Sequence, residues 1–326
     1  MKIVIGTETD GKLLREFLKA DVGVSTTQLK HLKFTEGGIL VNGSRQNVRY
    51  TLRAGDILEL LMEDDEEDVS PYIFPVELPL DVVYEDDALT VVNKPFDMPA
   101  HPSLGHPDDT VANALAYRYR DKTYVFRPVN RLDRNTSGLM LTANSRIAAY
   151  RASLDMRAGH IHKVYVAVLD GVPEPPSGIR KSRIRRKEGS IIEREETSDE
   201  GSGKAAVTAY TTIASGENGA VVLASPLTGR THQLRLHFAG MGCPITGDDL
   251  YGSASDAIGR QALHAAHLTL PHPADGRFLS LTAALPDDMT TLIRARFPDD
   301  AEEIIRRAGS CSFDDLKKEV PLPDET

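Results

Sequence analysis

Six consecutive acidic residues, from Glu63 to Asp68, divide the chain into a short and a long part. Because like charges at this density repel one another and cannot enter a hydrophobic core together, this stretch is predicted to be an extended linker. The chain has 326 residues, which is enough for two domains. The expected organisation is a small domain over residues 1–61, a linker over 62–75, a large domain over 76–300 and an acidic, solvated tail over 301–326.

Charge is distributed unevenly along the sequence. The net charge of −10 argues at first against a polyanionic partner, but the acidic run and the segment after residue 286 carry all of this excess. Residues 11–53 instead hold eight lysines and arginines against three acids. Because local fields, more than the total charge, decide where a polyanion docks, the amino-terminal part is a candidate nucleic-acid surface.

Composition places the chain among globular proteins of a reducing compartment. Hydrophobic residues make up 40% of the chain and charged residues 26%, which is ordinary for globular domains. No signal-peptide pattern and no apolar run of about 20 residues is seen, so no membrane association is expected. The two cysteines, Cys243 and Cys311, cannot form a disulfide framework, and a cytoplasmic location is expected.

The amino-terminal part has the pattern of two short helices followed by a hairpin. An apolar run over residues 38–41 ends in Asn42-Gly43, a pair typical of tight hairpin turns. Cations on the second helix and after this turn are the candidate RNA-binding residues: Lys30, Lys33, Arg45 and Arg49. Such side chains neutralise phosphates and read few bases. The same pattern also fits a helix face that is merely solvated.

The candidate catalytic residue lies between Arg127 and Thr142. Asp133 stands between Arg131 and Arg134, and a polar Asn-Thr-Ser-Gly corner and an apolar run follow it. A glycine-containing corner before a strand places the acid at the edge of a sheet. Neighbouring cations favour the ionised form of an acid, so Asp133 is expected to be a carboxylate available as nucleophile or base. In isolation, such a tetrapeptide is more often a surface ion pair.

Two further segments supply possible partners for this acid. Residues 160–169 alternate polar and apolar side chains, which predicts a half-buried strand with Tyr165 on one face. Residues 227–237 contain a predicted helix start that carries Arg235. A guanidinium can hold a carboxylate through two parallel hydrogen bonds, which a lysine cannot. Because the sequence shows neither clustered metal ligands nor a phosphate-binding glycine loop, no metal or nucleotide cofactor is expected.

Three motifs resemble the pseudouridine synthases of the RluA and RluD branch. They are Arg131-Leu132-Asp133 with its Thr-Ser-Gly-Leu continuation, the Lys163-x-Tyr165 pair, and the LTGRTHQLRLH segment over residues 227–237. Asn130 stands where that family usually has a histidine. The resemblance extends over about residues 80–285. Residues 1–61 resemble a different family, the alpha-L RNA-binding domain.

The resemblance implies an architecture and a set of roles. The expected fold is α+β, with a mixed, largely antiparallel sheet, flanking helices and a central cleft, preceded by a small α/β RNA-binding domain. Asp133 would be the catalytic acid and Arg235 its salt-bridge partner. Tyr165 would stack on the target base and move a proton. Arg131 would fill the gap left by an extruded uridine.

The implied activity is isomerisation of uridine to pseudouridine in structured RNA, without a cofactor. By analogy alone, large-subunit ribosomal RNA is the expected substrate, and a monomer is the expected state. Two alternatives remain. The amino-terminal domain by itself would support a non-catalytic RNA-binding factor or chaperone. A hydrolase of nucleosides would require a second carboxylate as general acid, which the motifs do not supply.

Overall fold

A computed structural model describes residues 1–22, 24, 26–61, 64, 66–199 and 201–321. Two separate sheets organise these residues, one of four strands and one of ten. The smaller sheet has a hydrophobic core of its own that includes Leu14, Leu18 and Leu58. The division into a small and a large unit on either side of the acidic run therefore matches the arrangement of sheets.

The amino-terminal unit packs two helices and an antiparallel sheet around one small core. Its elements are β1 (Lys2–Val4), α1 (Leu14–Ala20), α2 (Thr26–Phe34), β2 (Ile39–Val41), β3 (Ser44–Arg45) and β4 (Ile57–Leu60). The strand order is β1-β4-β2-β3. Asn42 and Gly43 have φ angles of 52° and 75°, the geometry that a two-residue turn between β2 and β3 requires. The predicted hairpin is confirmed.

The large unit packs helices against a mixed sheet of ten strands. Its strands are β5 (Asp81–Glu85), β6 (Leu89–Lys94), β7 (Ser137–Ala143), β8 (His162–Leu169), β9 (Ser177–Arg186), β10 (Arg194–Thr197), β11 (Lys204–Gly216), β12 (Gly219–Pro226), β13 (Leu263–Pro271) and β14 (Phe278–Thr282). Its helices are α3 (Val111–Arg118), α4 (Arg146–Ala158), α5 (Gln233–Gly240), α6 (Asp287–Arg296), α7 (Ala301–Gly309) and α8 (Phe313–Glu319).

The strand order explains where the site lies. It is β10-β9-β11-β12-β8-β13-β7-β6-β5, with β14 added beside β13. Pairing is antiparallel except between β7 and β13, within the part of the chain that the structure describes. Strand β8 lies in the middle of this sheet, and every residue from Lys163 to Leu169 is buried. The prediction of a half-buried strand was therefore wrong, because both faces of β8 are covered.

The corner after Asp133 leads directly into the sheet. Strand β7 begins at Ser137, and Gly138 has a φ of 109°. A Cβ at Gly138 would lie 2.3 Å from the carbonyl oxygen of Ala265, so a side chain there would prevent the close approach of β7 to β13. Asn130, in the place of the expected histidine, accepts the Leu141 N–H through Oδ1 at 2.7 Å. The loop that carries Asp133 is thus fixed to β7 at both ends.

The carboxyl-terminal segment is not the solvated tail that its charge predicted. Residues 301–309 and 313–319 form α7 and α8, and Ile304, Phe313 and Leu316 belong to the main hydrophobic core. The acids and bases of these helices lie on their outer faces, so a high content of charged residues coexists with an apolar inner face. The end of the predicted tail, residues 322–326, lies outside the described residues.

Two acids of the acidic run, Asp64 and Asp68, pair with distant arginines, which an extended, solvated linker would not do. Asp64 accepts hydrogen bonds from Arg127 at 3.0 Å and from Arg146 at 2.8 Å, and Asp68 pairs with Arg146. Arg146 is buried, so its guanidinium requires carboxylate partners. Three positions of the predicted linker, 62, 63 and 65, lie outside the described residues. Among the helices that the structure does describe, none is long and apolar enough to cross a membrane.

Candidate active site

A cleft of about 1270 Å³ opens at the centre of the large sheet. The loop over residues 128–136, the start of β8, the segment that leads into α5, and α8 form its walls. Asp133, Tyr165 and Arg235 all line this cleft, as do Arg131 and His232. The structure therefore brings together the three residues that the motifs singled out from segments up to about one hundred positions apart.

Asp133 occupies a half-buried position facing two cationic or polar groups. Its Oδ2 lies 3.7 Å from Nη1 of Arg235 and 3.9 Å from Nε2 of His232. Neither distance is a hydrogen bond. The backbone carbonyl of Asp133 accepts the Thr136 N–H at 3.0 Å, which closes the corner. The carboxylate is thus oriented by its loop and by nearby charge, and its oxygens remain accessible to a ligand in the cleft.

Arg235 is held by a different acid from the one expected. Its Nε and Nη2 donate to the two carboxylate oxygens of Asp248, each at 2.7 Å, and both side chains are buried. The predicted salt bridge between Arg235 and Asp133 is present, with 3.7 Å between Nη1 and Oδ2, but its predicted two-pronged geometry is wrong. Nη1 remains directed at Asp133. Burial lowers the pKa of Arg235, but the hydrogen bonds and charge of Asp248 outweigh this effect and raise it.

Tyr165 lies on β8 with its ring buried beside the acid. The strand pairs with β12 through Ala224 and with β13 through Ala265 at this position, so the backbone of Tyr165 is fixed on both sides. Burial and the negative charge of Asp133 both raise the pKa of the phenol. Tyr165 therefore keeps its proton at neutral pH and can donate it.

His232 is a site residue that the sequence reasoning did not single out. It precedes α5 in the left-handed region, with a φ of 59°, a conformation that strains a non-glycine residue. Its Nδ1 lies 2.7 Å from the Tyr251 hydroxyl, which accepts the Arg194 N–H at 2.8 Å. The Tyr251 hydroxyl can then donate its own proton to Nδ1. In that tautomer of His232 the ring proton is on Nε2, which faces Asp133. Burial lowers the pKa of His232, against the effect of Asp133.

Lys94 connects the loop that carries Asp133 to the loop after β6. Its side chain is fully buried, and its ammonium donates to the carbonyls of Pro95, Met98 and Arg134 at 2.7, 2.9 and 2.9 Å. Burial lowers the pKa of Lys94 to about 7. The contacts join the loop after β6 to the loop after Asp133.

The arginines that flank Asp133 in sequence do not pair with it. Arg134 pairs with Asp97 at 3.1 Å and lies 3.0 Å from Nε2 of His106. Arg131 is exposed at the cleft wall. Sequence proximity therefore predicted the local charge but not the partners, which come from α5.

The four predicted RNA-binding cations of the amino-terminal unit are all exposed: Lys30, Lys33, Arg45 and Arg49. Arg45 donates to the backbone carbonyl of Lys33 at 3.1 Å, which brings the hairpin and α2 together on one surface. The exposed ring of Phe34 lies beside Lys33, with Nζ 5.6 Å from the ring centre. No group of three or more potential metal ligands occurs among the described residues.

Comparisons with known proteins agree with this geometry. A family model described as RNA pseudouridylate synthase matches residues 88–240. The uncharacterized RNA pseudouridine synthase YjbO of Bacillus subtilis is 37% identical over 84% of this chain and 96% of its own length. The ribosomal large subunit pseudouridine synthase D of Zymomonas mobilis is 36% identical over 68% of this chain and 74% of its own.

A solved structure gives the same result for the fold. The human RNA pseudouridylate synthase domain containing 1 protein is 29% identical and superposes with a TM-score of 0.53, over 64% of this chain and 84% of that one. The predicted α+β architecture, with its largely antiparallel sheet and central cleft, is confirmed. The chain belongs to the RNA pseudouridine synthase family, isomerases that act on uridine in RNA.

Proposed function

We propose that this enzyme isomerises uridines of large-subunit ribosomal RNA and that Asp133 starts the reaction. The observation that carries the assignment is the make-up of the cleft wall. Among the described residues that line it, Asp133 is the sole carboxylate. Seven lysines and arginines share the same wall: Arg131, Arg134, Arg157, Lys163, Arg230, Arg235 and Lys317. Such an excess of positive charge suits a polyanion, and a single acid suits a reaction without hydrolysis.

The chemistry requires little beyond this set. The bond from uracil nitrogen to ribose breaks, the base turns, and a bond from uracil carbon to the same ribose carbon forms. The proton on that uracil carbon is released, and the freed nitrogen gains one. Asp133 acts as nucleophile on the ribose or the uracil ring, or as base on the sugar. Nothing is hydrolysed, so water must be kept from the separated base.

Arg235 and Tyr165 have distinct parts in this proposal. Arg235 Nη1 lies 3.7 Å from Oδ2 of Asp133 and places a positive charge beside the carboxylate, while Asp248 fixes the guanidinium itself. Tyr165 stacks on the target ring, and because burial and the charge of Asp133 raise its pKa, the phenol is protonated at neutral pH and holds the proton that it supplies to the base. A hydrolase with paired acids is disfavoured, because the described cleft wall supplies one carboxylate only.

RNA binding is assigned to two surfaces. Arg131, exposed at the cleft wall, fills the gap left by the extruded uridine. Lys30, Lys33, Arg45 and Arg49 contact phosphates at a distance from the reacting nucleotide. The named relative from Zymomonas mobilis supports the large ribosomal subunit as the source of the RNA. The enzyme is proposed to act as a monomer in the cytoplasm, where ribosomes are assembled.

The test is to map pseudouridines in ribosomal RNA from cells that lack this protein. We expect one or a few positions in large-subunit RNA to remain uridine and to be restored by the wild-type gene, but not by Asp133→Asn. Asp249→Asn is the matched control, because Asp249 is an exposed acid 3.8 Å from Arg235 and outside the cleft wall. If the pseudouridines of ribosomal RNA were unchanged and one in transfer RNA were lost, the substrate would be transfer RNA and the proposal for ribosomal RNA would be wrong.

A further inference from the structure

A buried lysine in the cleft has no role in the chemistry described so far. Lys163 lies on β8, two residues before Tyr165, and 9% of its surface is exposed. Its ammonium has one hydrogen-bond partner in the described part of the chain, the Met156 sulfur at 3.8 Å. A thioether is a weak acceptor, so this contact leaves most of the donor capacity of the ammonium unused.

No acid among the described residues compensates this charge. Burial alone lowers the pKa of Lys163, and no carboxylate opposes the effect. A buried ammonium without an anionic partner destabilises the folded protein, so such a group usually serves a ligand. Lys94, the other buried lysine of the cleft region, differs in having three carbonyl acceptors.

The surroundings of Lys163 form a distinct part of the cleft. Met156 and Arg157 at the end of α4, together with Phe313 and Lys317 of α8, line the same wall. The Phe313 ring stacks on His162 at 3.9 Å, which fixes α8 against the start of β8. The carboxyl-terminal helix, which lies outside the residues matched by the family model, thus closes this end of the cleft.

The position of Lys163 relative to Tyr165 determines which part of an RNA substrate this end of the cleft can bind. Alternate residues of a strand face the same side and lie about 7 Å apart. Lys163 is therefore on the face of β8 that carries Tyr165, one step further from Asp133. A nucleotide whose base contacts Tyr165 would extend its backbone along this face.

We infer that Lys163, enclosed by α4 and α8, binds a backbone phosphate of the RNA next to the target uridine. The inference rests on the proposed function. Phosphate is the matching chemistry, because a compact ammonium binds it as a point charge and two further cations, Arg157 and Lys317, line the same part of the cleft. Lys163 is a substrate-positioning residue, and Tyr165 and Asp133 remain the groups that meet the base and sugar.

The first experiment compares Lys163→Met with the wild-type enzyme on the large-subunit RNA transcript. We expect KM to rise about tenfold with kcat within about twofold, and the slope of log Kd against log salt to decrease by about 0.7 to 0.9, the value of one phosphate contact. Lys163→Arg should recover most of the affinity. Lys318→Met is the matched control, because Lys318 is on the exposed face of α8 and pairs with Asp315. A fall in kcat at unchanged KM would overturn the inference.

The second experiment needs no RNA substrate and therefore separates this inference from the proposed function. Inorganic phosphate should raise the Tm of the wild-type protein more than chloride at equal ionic strength, and this difference should disappear in Lys163→Met. Without phosphate, Lys163→Met should melt at or above the wild-type Tm, because it removes an uncompensated buried charge. A lower Tm would show a structural lysine. A lost phosphate effect with unchanged RNA KM would assign the site to free phosphate and overturn the RNA assignment.

Discussion

The cations of the two units differ in how they are held. In the amino-terminal unit, Lys30, Lys33 and Arg49 are exposed on the surface around a small hydrophobic core. In the cleft, Arg235 is 5% exposed and is fixed by two hydrogen bonds to a buried acid. The same residue types therefore serve two purposes. Exposed cations contribute RNA affinity that salt can screen. A buried, paired guanidinium instead has a fixed position and orientation in the cleft.

This difference predicts that damage to the two surfaces will have separate signatures. Removing an exposed cation should change RNA affinity and leave stability and turnover alone. Removing a partner of a buried cation should change stability and turnover together, because the remaining charge is left unpaired. The following predictions test this separation.

The largest effect is expected from Asp248→Asn. Loss of this carboxylate charge leaves the buried guanidinium of Arg235 uncompensated, which should lower the free energy of unfolding by about 3–5 kcal/mol. Turnover should fall by at least about 100-fold, because Nη1 would no longer be held towards Asp133. Urea unfolding and tritium release from uridine-labelled RNA measure the two effects. Asp249→Asn, which alters an exposed acid near the same guanidinium, should change stability by less than about 0.5 kcal/mol.

Low pH should reduce the stability of the large unit more than that of the small unit. Burial lowers the pKa of His237 and His264 to about 4. Between about pH 6.5 and 4 the unfolded chain binds more protons than the folded one, so stability is lost as pH falls. Each histidine should contribute a loss on the order of 2–3 kcal/mol at pH 4.5. His31 is the single histidine before the acidic run.

Hydrogen exchange at pH 6.5 and 4.5, corrected for intrinsic rates, measures this difference sheet by sheet. Protection should decrease more in the large sheet than in the small one. His264→Gln should have a shallower dependence of stability on pH than the wild type, whereas a change at the exposed His101 should leave the dependence unaltered. Equal losses in both sheets would contradict the assignment of the buried histidines.

The smallest effects are expected in the amino-terminal unit. Lys33→Ala and Arg45→Ala should each weaken RNA binding by roughly threefold to tenfold at physiological salt and lower the salt slope by about 0.7 to 0.9. The Tm and the kcat at saturating RNA should not change, because both side chains are exposed. Lys2→Ala is the control on the same unit, since Lys2 pairs with Glu59 at its edge strand. A fall in kcat would contradict this prediction, because it would mean that the amino-terminal surface also positions the RNA or the catalytic groups in the cleft.

Local patterns in the sequence predicted elements better than they predicted partners. The Asn42-Gly43 turn, the strand after the Asp133 corner and the helix that carries Arg235 all formed as expected. These depend on turn chemistry and periodicity, which neighbouring residues determine. The pairing of Arg235 with Asp248 depends on how α5 packs against the following loop, and no local pattern specifies it.

Charge counts predicted the wrong structure for two segments. The acidic carboxyl-terminal segment hides an apolar face at helical spacing, with Ile304, Phe313 and Leu316 in the main core. The acidic run contains Asp64, whose role is set by two arginines more than 60 positions away. Net charge averages over faces and ignores distant partners, so it could not show that α8 closes the cleft.

The central claim is that Asp133 performs chemistry and does not serve binding, and Asp133→Asn tests it most directly. The substitution keeps the shape of the side chain and removes one negative charge from a cleft wall that is otherwise cationic. Turnover in the tritium-release assay and the Kd of the same RNA should be measured on one preparation. We predict turnover below about one thousandth of wild type with Kd equal or slightly tighter. Retained turnover, or a parallel loss of binding, would contradict the account.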